Sequence, residues 1–247
     1  MVNNFNSIIL DKKSFILTIT LNRPEVLNAY NMQMRDELWQ VLLAIKDDPE
    51  IKVIILKGAG EKAFCAGADL TEFTTAPSQT IARKVRRLRP IWELWASIQK
   101  PFICALHGYV IGSGLEMALL CDLRLASPEI TIRMPEVALG MLPAAGGSQT
   151  LTKLTGISSA NNLLLTTKTI SASEALQMGL ISKIVELSDL ISESEKIADT
   201  IADLNSSQVQ SLIHLVKNGK ELTLNQGLEL EKNATLKITS NLNLTKK

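Results

Sequence analysis

Short apolar segments alternate with segments of helical periodicity along the first half of the chain. Phe15–Leu21 alternates apolar and polar residues as a half-buried strand does, whereas Val53–Leu56 and Pro101–Leu106 are continuous apolar runs, as expected of strands buried on both faces. Between them, Asn31 begins a pattern of apolar residues at helical spacing that ends at Asp48. Strands that alternate with helices predict an α/β fold with a largely parallel sheet.

Helical periodicity dominates the second half. A stretch from about Gln79 to Ile98 should be broken or kinked at Pro90. From about Ser158 onward, the segments with helical spacing are Ala160–Leu165, Ser173–Met178, Ile191–Leu204, Val209–Lys220 and Leu228–Ile238. We therefore divide the chain into a core, residues 1–185, and a helical C-terminal region, residues 186–247, that we expect to serve contacts between subunits. The last residues, 241–247, are expected to fray.

Two turns rich in small residues follow predicted strands. Ala66–Asp69 and Gly112–Gly114 each come after an apolar run, and each precedes an expected helix. Small residues let backbone N–H groups approach a ligand, and a helix N-terminus adds positive potential. Two such N–H groups that converge on one oxygen would form an oxyanion hole. On spacing alone, two ordinary glycine turns are the more frequent interpretation.

Glu116 and Glu136 each stand at a break, marked by glycine or proline, within apolar sequence. A carboxylate in apolar surroundings needs a partner or a chemical role. Two of them beside tight turns are what an acid/base pair at a reacting carbon requires. Taken singly, Glu116 is equally explained as a charge at a helix N-terminus, and Glu136 as a capping carboxylate for the next helix. The pair is the reason to expect an enzyme.

Composition narrows the possible functions. Of 247 residues, 46% are hydrophobic and 21% charged, and the net charge of +1 favours neither nucleic acid nor an anionic membrane. Three cysteines without CxxC spacing predict buried thiols in a reducing compartment, and with only two histidines we expect no metal site. Met1–Asn6 shows no secretory signal, so we expect a cytoplasmic protein. Ile103–Leu120 is apolar, but its His107, Glu116 and three glycines favour a buried strand, turn and helix over a membrane span.

Four motifs, in this order, resemble the crotonase superfamily, and most closely its enoyl-CoA hydratases. They are Leu21-Asn-Arg-Pro-Glu-Val-Leu-Asn-Ala29, Ala63-Phe-Cys-Ala-Gly-Ala-Asp69, the segment His107–Asp122 and the segment Pro135–Gln149. The resemblance runs from about Phe15 to Val185, and more weakly through the C-terminal helices. It implies the ClpP/crotonase spiral fold of ββα units, with a helical C-terminal oligomerisation region and assembly into homotrimers or homohexamers.

The resemblance also implies a role for each matching position. The N–H groups of Ala68 and Ser113 would hold the thioester oxygen of an acyl-CoA and stabilise an enolate. Glu116 and Glu136 would flank one water molecule and serve as acid and base. The residues expected to bind substrate or CoA are Val26, Leu27, Ala29, Ala66, Gly67, Ala68, Asp69, Leu70, Gly112 and Pro135. Coenzyme A is then part of the substrate, and no metal or redox cofactor is implied.

The two carboxylates favour one reaction within the superfamily, the syn addition of water to a trans-2-enoyl-CoA, which yields a 3-hydroxyacyl-CoA. Double-bond isomerisation is the alternative; isomerases of the superfamily often work with a single carboxylate, so the presence of two favours hydration. Fatty-acid β-oxidation uses the hydration reaction, but the pathway stays open. Some residues depart from the family pattern: Ser113 and Ala144 stand where glycine is frequent, and Arg133 and Met134 where many relatives have smaller residues.

A more distant alternative is a non-catalytic CoA- or RNA-binding protein of the same superfamily. Arg83–Arg89 holds five basic residues in seven on an expected helix. Such a run is also typical of a solvated helix face or of an anchor for CoA phosphates. The near-zero net charge and the absence of interleaved aromatics do not favour nucleic acid. We interpret His107 as structural, and Trp92 and Trp95 as packing residues that could instead line an acyl pocket.

Overall fold

Strands and helices alternate through most of the chain in a computed structural model that describes residues 5–72, 75, 78, 80 and 88–241. The strands are β1 (Ile8–Lys13), β2 (Ile16–Leu21), β3 (Val53–Gly58), β4 (Ala63–Cys65), β5 (Phe102–Leu106), β6 (Tyr109–Ile111), β7 (Leu123–Ala126), β8 (Thr131–Arg133) and β9 (Lys183–Ile184). The α-helices are α1 (Met32–Asp47), α2 (Ile91–Ser97), α3 (Ser113–Leu120), α4 (Gly147–Thr155), α5 (Ile157–Thr166), α6 (Ala172–Gln177), α7 (Leu190–Ala202), α8 (Ser206–Gly219) and α9 (Leu224–Asn241). Short 3-10 helices span Pro24–Val26, Leu70–Glu72 and Glu136–Leu139.

The strands form two sheets. The larger has six strands in the order β1-β2-β3-β5-β7-β9, and the smaller has three in the order β4-β6-β8. All neighbours pair in parallel except β1 and β2, which are antiparallel. Three successive strand pairs (β3 and β4, β5 and β6, β7 and β8) each place the first strand in the larger sheet and the second in the smaller. This repeat is the predicted spiral of ββα units.

The larger sheet is buried on both faces, as the continuous apolar runs predicted. Ile54 and Leu56 of β3 face a core that includes the buried side of α1 and Trp95 of α2. Val53 and Ile55 face the opposite core, which includes the buried side of α7. Because α7 covers the sheet, the first helix of the region 186–247 is packed against the strands of the core.

Side-chain hydrogen bonds stabilise both ends of α1, the helix before β3; one comes from a neighbouring residue and the other from a residue distant in the sequence. The side chain of Asn31 accepts a hydrogen bond from the Met34 N–H at 2.9 Å and so caps the start of α1. At the other end, the Lys100 ammonium donates to the carbonyl oxygens of Ile45 and Asp48. The predicted break at Pro90 is confirmed, because α2 begins directly after it.

Some sequence predictions were wrong or incomplete. The turn Ala66–Asp69 leads directly into a 3-10 helix, Leu70–Glu72, and not into the expected α-helix. Among the strands and α-helices, β1, β6, β9 and α4 were not predicted. Ile103–Leu120 contains β5, β6 and α3, in agreement with a buried strand, turn and helix. Among the described residues, no helix has the length and apolar character that spanning a membrane requires. Most of the basic run, residues 83–87, and the expected frayed end, residues 242–247, lie outside the described residues.

Candidate active site

Strands β4 and β6 bring the two predicted turns side by side. They pair in parallel, with Ala63 opposite Tyr109 and Cys65 opposite Val110, so the turns that follow them leave the same edge of the smaller sheet. Gly114, in the first turn of α3, packs directly on the end of β4. A Cβ added there would lie 2.3 Å from the Cys65 carbonyl oxygen, so only glycine allows this close approach.

Two backbone N–H groups at these turns are available to a ligand. Gly67 (φ +103°) and Gly112 (φ +49°) adopt conformations that favour glycine, directly before Ala68 and Ser113. The turns adjoin each other, because a Cβ built on Gly67 would lie 4.0 Å from the Ser113 nitrogen. Ser113 is the first residue of α3, so its N–H has no partner within the helix. Neither the Ala68 nor the Ser113 N–H donates to an acceptor among the described residues, as the two donors of an oxyanion hole require.

Glu116 lies in the first turn of α3 and is only 2% exposed. Its Oε1 accepts hydrogen bonds from the backbone N–H groups of Ala145 and Gly147, each at 2.8 Å. Burial raises the pKa of Glu116, while these two N–H groups and the Ser113 hydroxyl oppose the rise by stabilising the anion. The Glu116 carboxylate is therefore fixed in one orientation within a largely water-excluding site.

Glu136 begins the 3-10 helix that follows Pro135, and it approaches the second turn. A Cβ added to Gly112 would lie 2.6 Å from Glu136 Oε1. The other oxygen, Oε2, is buried and has no hydrogen-bond partner within the described part of the chain. Burial raises the pKa of Glu136, and the charge of neighbouring Glu116 raises it further. Two carboxylates in such different surroundings can divide the giving and taking of a proton between them.

Asn28 organises the loop before α1, a role that the sequence analysis missed. It is fully buried, with φ +56°. Its Oδ1 accepts from the Arg23 N–H at 2.9 Å, and its Nδ2 donates to the carbonyl oxygens of Ala59 and Ala63 at 2.9 and 2.8 Å. Buried amide groups are almost always hydrogen-bonded. The position of Asn28 within the first motif was the one sequence signal that could have indicated this role. Asn28 thus ties the loop to β4 and to the end of β3.

Arg23 links the same loop to the turn Ala66–Asp69. Its guanidinium donates to the Ala29 carbonyl oxygen at 2.6 Å and pairs with the Asp69 carboxylate at 2.9 Å. The hydroxyl of Thr71 and then the guanidinium of Arg23 hold the pKa of Asp69 below its ordinary value. Asp69, predicted as a binding residue, therefore shapes the turn through an ion pair that the sequence did not reveal.

The structure brings the predicted binding residues of the loop and of the first turn together. The Ala66 N–H donates to the Leu27 carbonyl oxygen at 2.9 Å. Val26 and Leu70 keep 41% and 54% of their surface exposed, so both can still contact a ligand. An open cleft of about 250 Å³ adjoins this loop, lined by Pro24, Leu27, Asn28, Ala59, Gly60, Glu61, Lys62 and Ala63. Gly112 and Pro135, predicted with the same group, stand instead beside Glu136.

Other residues singled out in the sequence lie outside this arrangement. His107 is 5% exposed, and burial lowers its pKa, as for a structural histidine. Trp95 is fully buried in the core, and Trp92 packs against Tyr30 with ring centroids 5.4 Å apart, contacts that agree with the predicted packing role. The three cysteines are free and buried, as predicted. Within the described residues, no cluster of His, Cys, Asp and Glu could hold a metal ion.

Comparisons with known proteins agree with this geometry. Residues 11–246 match the family described as enoyl-CoA hydratase/isomerase. A short-chain-enoyl-CoA hydratase of Clostridium acetobutylicum is 36% identical over 231 residues, which cover 93% of this chain and 88% of that protein. An (E)-benzylidenesuccinyl-CoA hydratase of Thauera aromatica is 35% identical, over 89% of this chain and 85% of its own length. The crystal structure of an enoyl-CoA hydratase from Bacillus anthracis superposes with a TM-score of 0.90 at 33% identity, covering 96% of this chain and 92% of that one.

Proposed function

The chain belongs to the enoyl-CoA hydratase/isomerase family and has the crotonase fold, and from this premise we propose that it is an enoyl-CoA hydratase. It adds water to a trans-2-enoyl-CoA and yields a 3-hydroxyacyl-CoA. The observation that carries the proposal is that the buried Glu116 and the half-buried Glu136 both lie at the turn that also offers the Ser113 N–H.

The thioester oxygen of the substrate accepts hydrogen bonds from the N–H groups of Ala68 and Ser113. When water adds to C3, negative charge moves to this oxygen as an enolate forms, and the two donors stabilise that charge where it develops. Removal of one donor from such a site typically lowers the rate by about 10²–10³-fold. Because the side chain of Ser113 is not needed for this role, serine can replace the glycine frequent in relatives.

The different surroundings of the two carboxylates support a division of roles between them. Glu116 is held by two backbone N–H groups, which stabilise its anion, so it acts as the base that takes a proton from water. Glu136 has a buried oxygen that no donor among the described residues stabilises as an anion, and burial and then the charge of Glu116 raise its pKa, so we give it the role of the acid that protonates C2. Glu116 and Glu136 face the same side of the double bond, so the hydroxyl reaches C3 and the proton reaches C2 on one face, a syn addition. The proton that Glu116 has taken from water then returns to Glu136, which restores both carboxylates for the next turnover.

The CoA moiety lies along the loop and the first turn. Its contacts come from the exposed side chains of Val26 and Leu70 and from the backbone of Leu27, Ala29, Ala66, Gly67 and Asp69, while Gly112 and Pro135 adjoin the acyl end. Arg23 and Asp69 neutralise each other, so they shape the surface without adding net charge. The reaction uses no metal and no redox cofactor, because acid, base and oxyanion donors supply its chemistry.

Assembly into homotrimers or homohexamers through the helical region 186–247 belongs to the same proposal. The side chains of Leu212, Val216 and Leu224 are 61%, 66% and 77% exposed in the single chain, an apolar surface that partner subunits would cover. The three buried free thiols support a reducing compartment, the cytoplasm. Fatty-acid β-oxidation is a pathway in which this hydration occurs.

The test follows the enoyl thioester absorbance of crotonyl-CoA with the wild type, Glu116→Gln and Glu136→Gln. We expect each substitution to lower turnover by roughly 10²–10⁴-fold, the usual contribution of a general acid or base, with the fold and CoA binding retained. Glu129→Gln, at an exposed turn, is the matched control and should stay at the wild-type rate.

Unchanged turnover in both site variants would eliminate the mechanism. A wild type that leaves crotonyl-CoA and a panel of longer and branched enoyl-CoAs unhydrated would instead favour double-bond isomerisation. In that reaction, one carboxylate would move a proton between two carbons of the acyl chain.

A further inference from the structure

Met134 is a completely buried residue in the segment that connects β8 to the 3-10 helix at Glu136. It follows β8 and precedes Pro135, and it has 0% exposure, whereas the adjacent Arg133 is exposed. A flexible thioether side chain fills irregular space well, so a buried methionine in a connecting segment indicates a gap that the fold has to close. The sequence marked this residue only as larger than its counterparts in many relatives.

The gap that Met134 fills lies beside the Glu116 carboxylate. A Cβ built on Gly147 would lie 2.8 Å from the Met134 terminal methyl and 2.9 Å from Glu116 Oε1, so both atoms border the same small space. Oε1 is also the oxygen that accepts the N–H groups of Ala145 and Gly147. The methyl group therefore occupies part of the space around that oxygen and makes this space apolar.

We propose that Met134 is a positioning residue for Glu116: its methyl group excludes water from the anchored oxygen and holds the carboxylate in the orientation that the two N–H groups set. The catalytic part of this inference rests on the proposed function, whereas the placement of the Met134 methyl group and Glu116 Oε1 around Gly147 does not. The polar groups that act on Glu116 are the charge of Glu136, the Ser113 hydroxyl and the two N–H donors. Met134 adds an apolar group to these polar neighbours of the Glu116 carboxylate.

The direct test measures the titration of Glu116 by carboxyl ¹³C NMR, with the signal assigned by its loss in Glu116→Gln. Burial raises the pKa of Glu116, so water admitted by Met134→Ala should move the titration to lower pH, by about 0.5–1 unit. Met134→Leu conserves volume and should restore the wild-type titration. Leu42→Ala, a comparable truncation in the core beneath α1, is the control and should lower the melting temperature without moving the titration.

Kinetics provide the second measurement. On crotonyl-CoA, Met134→Ala should lower kcat about tenfold or more and shift the acid limb of kcat/KM to lower pH, because a carboxylate free to turn spends less time aimed at the water. Met134→Leu should recover most of both. If Met134→Ala titrates like the wild type and only loses stability, as Leu42→Ala does, the residue merely packs and the proposal is wrong. A wild type inactive on every enoyl-CoA would refute the proposed function, while the NMR comparison would still decide the role of Met134.

Discussion

Gly147→Ala should separate catalysis from stability in this protein. The new methyl group would lie 2.9 Å from Glu116 Oε1, 3.0 Å from Glu116 Cγ and 2.8 Å from the Met134 methyl. These atoms belong to side chains, not to the backbone, so the side chains can yield while the fold stays intact. Since ordinary contact is at least 3.4 Å, Glu116 has to retreat by about 0.5 Å from the N–H groups that anchor it.

The magnitude follows from the hydrogen bonds that this retreat weakens. Glu116 Oε1 accepts two N–H groups at 2.8 Å, and a hydrogen bond to a charged group is worth about 1.5–3 kcal/mol. Loss of one of them from the reacting geometry corresponds to a kcat that is lower by about 10–100-fold. KM should change little, because the nearest atoms to the new methyl group belong to Met134 and Glu116 and not to the loop that is proposed to bind CoA.

The assay is steady-state hydration of crotonyl-CoA together with thermal unfolding. Gly219→Ala is the matched control, because a Cβ at that position, in the last turn of α8, meets no atom within 4 Å. The control should keep wild-type kcat and stability. The reasoning is refuted if Gly147→Ala keeps the wild-type kcat, or if it unfolds the protein, since the first result would mean that the anchor is unimportant and the second that the side chains cannot yield.

Two further predictions concern stability and substrate affinity. The folded-state pKa of Glu136 is raised above its unfolded value, so the group favours folding only while protonated and this contribution is lost as pH rises through the raised pKa. Glu136→Gln should therefore raise the melting temperature at pH 8 and leave it unchanged at pH 4, and equal shifts at both pH values would contradict this. Asn28→Ala removes three hydrogen bonds and should lower the free energy of unfolding by about 2–4 kcal/mol and raise KM more than it lowers kcat. Asn22→Ala, whose one bond is 3.5 Å long and exposed, is the comparison, and a loss in kcat alone for Asn28→Ala would argue against a role in shaping the CoA surface.

Residues whose surroundings are local in sequence could be predicted, and those whose partners are distant could not. Glu116 and Glu136 stood out because apolar neighbours in the sequence already implied burial, which the structure confirms as 2% exposure for Glu116 and a buried oxygen for Glu136. The pairing of Arg23 with Asp69 joins positions 46 residues apart, and no pattern near either residue points to the other. Glycine turns showed where backbone donors are exposed, but the sequence offered no means to see that Gly147 and Ala145 would anchor Glu116.

Short elements escaped prediction for a related reason. Strand β6 has three residues between two glycine positions, so periodicity has too little length to act on, and its pairing with β4 and β8 supplies the structure instead. Helix α4 begins at Gly147 after Gly146 in a left-handed conformation, and no side chain caps it. A pair of glycines ordinarily predicts a turn. Here the same two glycines also form the start of the helix, so the sequence indicated the turn and not the helix.

The spiral of strand pairs also determines when the site can exist during synthesis. Each strand pair of the spiral adds to the preceding one: β5 pairs with β3, β7 with β5, and β8 with β6. The strands from β3 to β8 must therefore be synthesised before Pro135 and Glu136 can take their places. The anchor of Glu116 comes 29 and 31 positions later in the chain, at Ala145 and Gly147. At about 5–20 residues per second, a ribosome needs roughly 2–6 s to cover that distance. In a nascent chain, the Glu116 carboxylate is therefore synthesised seconds before the two N–H groups that orient it.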